Sequence, residues 1–342
     1  VTEIEVVTVT ANPAVDHTVW VPGFRAGEVN RVVAEDTSPG GKGVNVAAFL
    51  AALGVPVAAT GLLGTRNAGL FHAFFEATGI GHCFVPVPGA TRTGIKVVDD
   101  EGGTTTDLNF PGFTVTATQL GALEDVVAGL ARPGRWFVFA GSLPPGAPAG
   151  LFRRLAEAVR GRGGRVAVDS SGPALAEAVA AGPDLLKPNR RELEELAGRA
   201  LGDLGDVAAA ARALGAPAVA VSMGADGALF ARGHEVVFAH APAVQVASTV
   251  GAGDAMVAGL VCAERRGLTL AEAAALATAC SAVAISRVGP RLDAAAVEEL
   301  AQGVEVDRVE VDRVDVDRVD VDRFEVDRFE VDRFGVEEEG RP

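Results

Sequence analysis

The sequence predicts an α/β protein: a mostly parallel sheet covered by helices on both faces, with a second, small β-sheet. Two observations carry this. Short apolar β-rich runs alternate with longer amphipathic segments through small-residue turns, the order of βαβ units. Two stretches, residues 17–36 and 92–110, interrupt that order with paired half-exposed strand patterns and hairpin-type turns.

Taken in order, the sheet strands are expected in "IEVVTVT", "VAATGLL", "WFVFAGS", "RVAVDSS", "DLLKPN" and "PAVAVSMG". Each is dense in Val, Ala, Leu or Phe, as strands buried on both faces must be. Ligands of such sheets sit at the carboxyl ends of the strands. Polar residues gather there: Asn12 and Asp16, Ser142, Asp169 to Ser171, Lys187 to Asn189, and Ser222. The two hairpin stretches are expected to form a lid that excludes water from a site, or an edge sheet used for dimer contacts.

The globular part is expected over residues 1–304. From Glu305 the chain becomes a five-residue repeat, "EVDRV" and its variants, through Phe334, followed by "GVEEEGRP" to residue 342. A period of five matches neither a helix face nor a strand face. Its first residues are read as the end of a strand or helix and the remainder as a solvated acidic tail, mostly disordered.

Charge and composition exclude several functions. The net charge is −15, with 45 acidic residues against 30 Lys and Arg, and no basic block marks a nucleic-acid surface. No apolar run long enough for a membrane span occurs. The three cysteines, Cys83, Cys262 and Cys280, are odd in number and widely spaced, the usage of a reducing compartment, and no secretory leader pattern opens the chain. A cytoplasmic location is expected. The five histidines show no zinc-ligand spacing.

Two glycine clusters open helical patterns. "STVGAGDAMVAGL" places Gly251, Ala252 and Gly253 directly before Asp254, and "PGGKGVNVAAFLAALG" places Gly40 and Gly41 before Lys42 and Asn45. Such turns align N–H groups at a helix's positive end and attract anions. A carboxylate there serves as a helix cap or as a base held beside an anion. The motif alone leaves both open.

These two clusters resemble the paired signatures of the PfkB or ribokinase-like family of carbohydrate kinases, and the likeness spans residues 4 to about 304. "TANPAVDHTV", "GEVNRV", "TDLNFPGF", "GSLPPG", "LLKPNRRELEELAG" and "VSMGADGAL" fall in the family's order. The resemblance implies a three-layer αβα ribokinase-like domain with a β lid. It implies transfer of a phosphoryl group from ATP to a sugar-phosphate hydroxyl, with fructose 1-phosphate ahead of tagatose 6-phosphate and fructose 6-phosphate. A non-catalytic sugar-phosphate sensor on the same scaffold is the alternative from another class.

Residue by residue, the resemblance makes Asp254 the general base and the N–H groups of Gly251, Ala252 and Gly253 the anion hole. Asp16 would accept sugar hydroxyls, with Gly40, Gly41, Asn45 and Ser142 beside it. Lys42, Arg92 and Arg31 are candidates for the substrate's own phosphate, gripped at the end of the sugar remote from Asp254. Lys187, Asn189, Ser222, Gly224 and Gly227 would meet the nucleotide. Glu192 would hold Mg2+ through water, with Asp169 a second metal candidate. A homodimer through the lid is expected. Ala255 stands where the family commonly has serine, and "SRVGPRL" lacks its usual Gly-Thr.

Overall fold

A computed structural model describes residues 3–287 and 289–310. The expected disordered tail lies outside the described residues from 311 onward. The first half of the chain runs β1 (Val6–Thr10), β2 (Ala14–Trp20), β3 (Ala34–Gly40), α1 (Lys42–Ala52), β4 (Val57–Gly64), α2 (Ala68–Thr78), β5 (Gly81–Val87), β6 (Arg92–Asp99) and β7 (Thr104–Asn109). Then come α3 (Ala117–Leu130), β8 (Trp136–Ala140), α4 (Leu151–Arg160), β9 (Arg165–Asp169), α5 (Gly172–Ala180), β10 (Leu185–Leu186), α6 (Arg190–Ala197), α7 (Leu204–Ala213) and β11 (Ala218–Ser222). The last elements are β12 (Gly227–Arg232), β13 (Glu235–His240), α8 (Ala252–Arg266), α9 (Leu270–Ile285), α10 (Ala294–Ala301) and β14 (Val306–Arg308).

The large sheet has ten strands in the order β14-β13-β12-β11-β10-β9-β8-β1-β4-β5. The seven from β11 to β5 are parallel, and β12, β13 and β14 add antiparallel strands at one edge. Side chains alternate between two cores. Trp136, Val138 and Ala140 of β8 join the core under α1, α2, α8, α9 and α10, while Phe137 and Phe139 join that under α3 to α7. This is the three-layer arrangement that strands apolar on both faces demand.

A separate four-stranded sheet, β3-β2-β6-β7, is the lid. It begins earlier than the hairpin pattern indicated, since β2 starts at Ala14 and β3 runs to Gly40. β2 therefore leaves β1 after only three residues, 11–13, and β3 runs into the turn that starts α1. The Asp99 carboxylate ties the lid's own turns together, accepting N–H bonds from Gly23 (2.8 Å), Phe24 (3.1 Å), Glu101 (3.1 Å) and Gly102 (3.0 Å).

β14 comes from the first pentapeptide of the repeat and pairs with β13. Val306 and Val309 pack onto opposite cores, because residues three apart on an extended chain face opposite ways.

Candidate active site

Both glycine turns reach the same place. Gly41 (φ +105°) precedes α1 and Gly251 (φ +86°) precedes α8, backbone values that exclude a β-carbon at little cost only for glycine. Asn45 Nδ2 donates to Asp254 Oδ2 at 2.8 Å and links the two helices. Asp254 is 5% exposed. Burial, and secondarily the negative charge of Asp169, push its carboxyl up to about 6 against the pull of Lys42, Asn45 and Lys187. The first N–H groups of α8 have no intrahelical acceptor, as at any helix start, and they border this carboxylate.

Behind Asp254 lies a group of charges at the end of β9, of which Asp169 and Lys187 are buried. Asp169 Oδ1 is 2.9 Å from Lys42 Nζ and 3.4 Å from Lys187 Nζ. A β-carbon on Gly253 would stand 3.2 Å from Lys187 Nζ, so that ammonium lies against the turn of α8. Burial disfavours the Lys42 charge, but the attraction of Asp169 and Asp254 outweighs it and raises the ammonium's pKa. Lys42 thus departs from its expected place at the remote end of the sugar. As the first residue of α1, with its stem against Gly141, it pairs with Asp169 and lies in the field of Asp254 instead. The magnesium reading of Asp169 narrows likewise: Oδ1 is committed to two ammonium groups, and Oδ2 is buried with no partner among the described residues.

The lid carries Asp16, on β2 opposite Ser38 of β3 and Gly94 of β6. Gly40 is glycine for room: a β-carbon there would fall 2.4 Å from Asp16 Oδ2. Asp16, Asn45 and Gly251 line one cleft between lid and large sheet, which Gly289 and Pro290 close from the "SRVGPRL" segment. Sequence reasoning missed Lys96, whose Nζ is 3.0 Å from Asp16 Oδ2 in this cleft.

Arg92 reaches residues 110–112 directly, and Ser142 is joined to them through Asn12. Arg92 donates through an η nitrogen to Phe110 O (3.1 Å), and its Nε is buried with no partner among the described residues. Asn12 Nδ2 donates to Pro111 O (3.1 Å) and to Ser142 Oγ (3.3 Å). Asn12, noted in the sequence only as a polar strand end, is the joint of three loops. Arg31 is exposed and is not brought to the cleft within this chain, and Arg25 pairs at the surface with Glu28 at 3.9 Å.

Asn189 and Glu192 form a capping box on α6: Asn189 Oδ1 accepts from Glu192 N and Glu192 Oε2 accepts from Asn189 N, both at 2.8 Å. The box fixes Glu192 and leaves its other oxygen free for water. Ser222 lies alongside Asn189 through a parallel bridge. Gly224 has φ +66° in the turn that follows. Gly227 is glycine for a structural reason beyond any nucleotide contact, since a β-carbon would fall 2.1 Å from Ala239 O of β13.

A mostly parallel sheet facing a second, small sheet across a cleft, with a buried carboxylate where two glycine turns meet, is the build of a ribokinase-like phosphotransferase. The chain belongs to the pfkB family carbohydrate kinases, whose family pattern matches residues 3–296. It is 52% identical over 293 residues to 1-phosphofructokinase of Rhodobacter capsulatus, covering 84% of this chain and 93% of the relative. It is 40% identical over 291 residues to 1-phosphofructokinase of Escherichia coli (strain K12), covering 82% and 91%. Among solved structures, phosphofructokinase-2 from Escherichia coli in complex with substrates and products superposes with a TM-score of 0.84 at 28% identity, covering 88% of this chain and 99% of that one. No helix among the described residues is long and apolar enough to cross a membrane.

Proposed function

We propose that this chain is a 1-phosphofructokinase, transferring the γ-phosphoryl group of ATP to fructose 1-phosphate to give fructose 1,6-bisphosphate and ADP. The observation that carries the reading is Asp254. Its carboxyl is enclosed at the start of α8, with a pKa pushed up to about 6, so it is ionised and basic at neutral pH. It takes the proton of the free hydroxymethyl as that oxygen attacks the phosphoryl group in line. The N–H groups of Gly251, Ala252 and Gly253 receive the charge on the transferring oxygens, and Lys42 and Lys187 neutralise the rest.

At the other end, Arg92 binds the substrate's phosphate through its guanidinium, with Ser142 beside the sugar. Asp16 accepts hydroxyls of the sugar, and Gly40, Gly41 and Asn45 shape the wall beside it. On the nucleotide side, Lys187, Asn189, Ser222, Gly224 and Gly227 flank ATP. Glu192, through its uncapped oxygen, would hold a hydrated Mg2+, whereas Asp169, with Oδ2 sealed from solvent and two ammonium groups on Oδ1, does not fit one. Held there, the metal would supply positive charge against the phosphates of ATP.

A homodimer through the lid accompanies this reading. Val29, Val32 and Val33, and Leu108 and Phe110, are large apolar residues left exposed on or beside the lid strands. One solved relative, Escherichia coli phosphofructokinase-2, is described as tetrameric in an inhibited form. Light scattering on the Val33→Lys variant tests it: a monomer supports the lid interface, and an unchanged oligomer removes it.

Turnover at subsaturating fructose 1-phosphate, fructose 6-phosphate and tagatose 6-phosphate, side by side with ATP and Mg2+, decides the substrate. The highest kcat/KM is expected with fructose 1-phosphate. Equal or better turnover of either 6-phosphate overturns the substrate and leaves the phosphotransferase chemistry standing.

A further inference from the structure

Lys96 is the one lysine or arginine among the described residues lining the cleft between lid and sheet. It belongs to β6, two residues beyond Gly94, which pairs with Asp16. Alternation along the strand puts Lys96 on the same face as Gly94, so its side chain lies over Asp16. The ion pair is 3.0 Å long, and the two side chains are only 14% and 21% exposed. Removing two charges from water costs more than a surface pair returns, which makes a bare ion pair a poor reason for placing a lysine here. Lys96 has two further N–H donors, and the ion pair runs through Asp16 Oδ2, leaving Oδ1 as a second acceptor.

The charges in the cleft say what those free groups take. Asp16, Asp36 and Lys96 are its ionisable lining residues, a net negative set that repels a phosphate dianion. A neutral polyol suits it. An ammonium donor beside a carboxylate acceptor matches two neighbouring hydroxyls, one accepting from Lys96 and one donating to Asp16.

We propose that Lys96 is a substrate-binding, specificity-determining residue. With Asp16 it reads a vicinal diol of the sugar, holding the ring so that the free hydroxymethyl faces Asp254. The proposal rests on the sugar-phosphate kinase reading above and adds the part of the sugar that is recognised.

The test uses Lys96→Met, Lys96→Gln and Lys96→Arg, with fructose 1-phosphate and its 3-deoxy and 4-deoxy analogues. Lys96→Met is expected to lower kcat/KM for fructose 1-phosphate by about 10- to 100-fold, mainly through KM, and to leave KM for ATP within about twofold. Lys96→Arg should recover part of the loss. On one of the two deoxy analogues, wild type and Lys96→Met should have equal kcat/KM, because the hydroxyl that Lys96 reads is missing. If Lys96→Met does not fold, Lys96→Gln carries the same comparison, since its amide replaces the charge while filling the space. A loss of equal size on fructose 1-phosphate and both analogues, or a wild-type KM, overturns the proposal. Wild-type activity on fructose 1-phosphate, measured in the same series, separates that result from failure of the substrate assignment itself.

Discussion

Replacing Asp254 by asparagine removes one buried charge and almost no volume. The rise of its carboxyl from the ordinary 3.8 to about 6 corresponds to about 3 kcal/mol of preference for the protonated form, of which the first cause is burial and the second Asp169. The native state therefore holds this proton more tightly than the unfolded chain. The group's contribution to stability is fully present below about pH 4 and is lost as pH rises through about 6. At pH 7.5 the wild type carries the whole cost, whereas asparagine carries none and can still accept the Asn45 N–H bond. Asp254→Asn should thus melt about 5 °C above wild type at pH 7.5, with the difference vanishing near pH 4. Its kcat should fall by roughly a hundred- to ten-thousand-fold. Calorimetry at the two pH values and a coupled assay of ADP release read both effects. Wild-type turnover in the folded variant would remove Asp254 as the base, and a lower melting temperature at pH 7.5 would refute the buried-charge argument.

Four further outcomes follow from the packing. Gly40→Ala places a β-carbon 2.4 Å from Asp16 Oδ2 and should raise KM for the sugar phosphate at least about tenfold while sparing KM for ATP; unchanged KM would show that Asp16 can move without loss. Glu192→Gln keeps the capping box, so melting should shift by less than about 2 °C, while the Mg2+ concentration for half-maximal rate rises about tenfold. Asp99 is held below its ordinary carboxyl range by backbone N–H bonds, Gly102 and Gly23 first, so its contribution is present at neutral pH and lost as pH falls through the lowered value. Asp99→Asn should speed amide exchange in residues 21–24 and 99–103 at pH 7 and leave the large sheet's protection unchanged. A chain ending at residue 303 lacks β14 with Val306 and Val309, and should melt several degrees below one ending at 310; equal melting would show that β13 does not need that edge partner.

How much of this was legible in the sequence depended on how local its cause is. The strands of the parallel sheet announce themselves because both faces are buried, and "WFVFAGS" has no polar side to hide. Gly41 and Gly251 were legible because their conformation is dictated within one turn. The capping box of Asn189 and Glu192 is as local, contained in four residues, yet from sequence the pair had only nucleotide and metal roles. The lid's extent was less legible: residues 14–16 look like a continuation of the first strand, and only pairing with β3 and β6 shows that β2 starts there.

Lys42 shows where local reasoning fails. Its motif says that a cation stands at a helix start, but which anion it meets depends on where β9 ends, 127 residues away. Lys96 is the stronger case. In "RTGIKVVDD" it looks like any solvated lysine of a half-exposed strand, and nothing within several residues marks it. Its meaning comes from the parallel register that sets Gly94 beside Asp16, and one step of slip would turn the ammonium to the other face of the lid. Register is a property of two strands separated along the chain by three strands and two helices, so a specificity residue of this kind becomes visible only once the lid is assembled over the site.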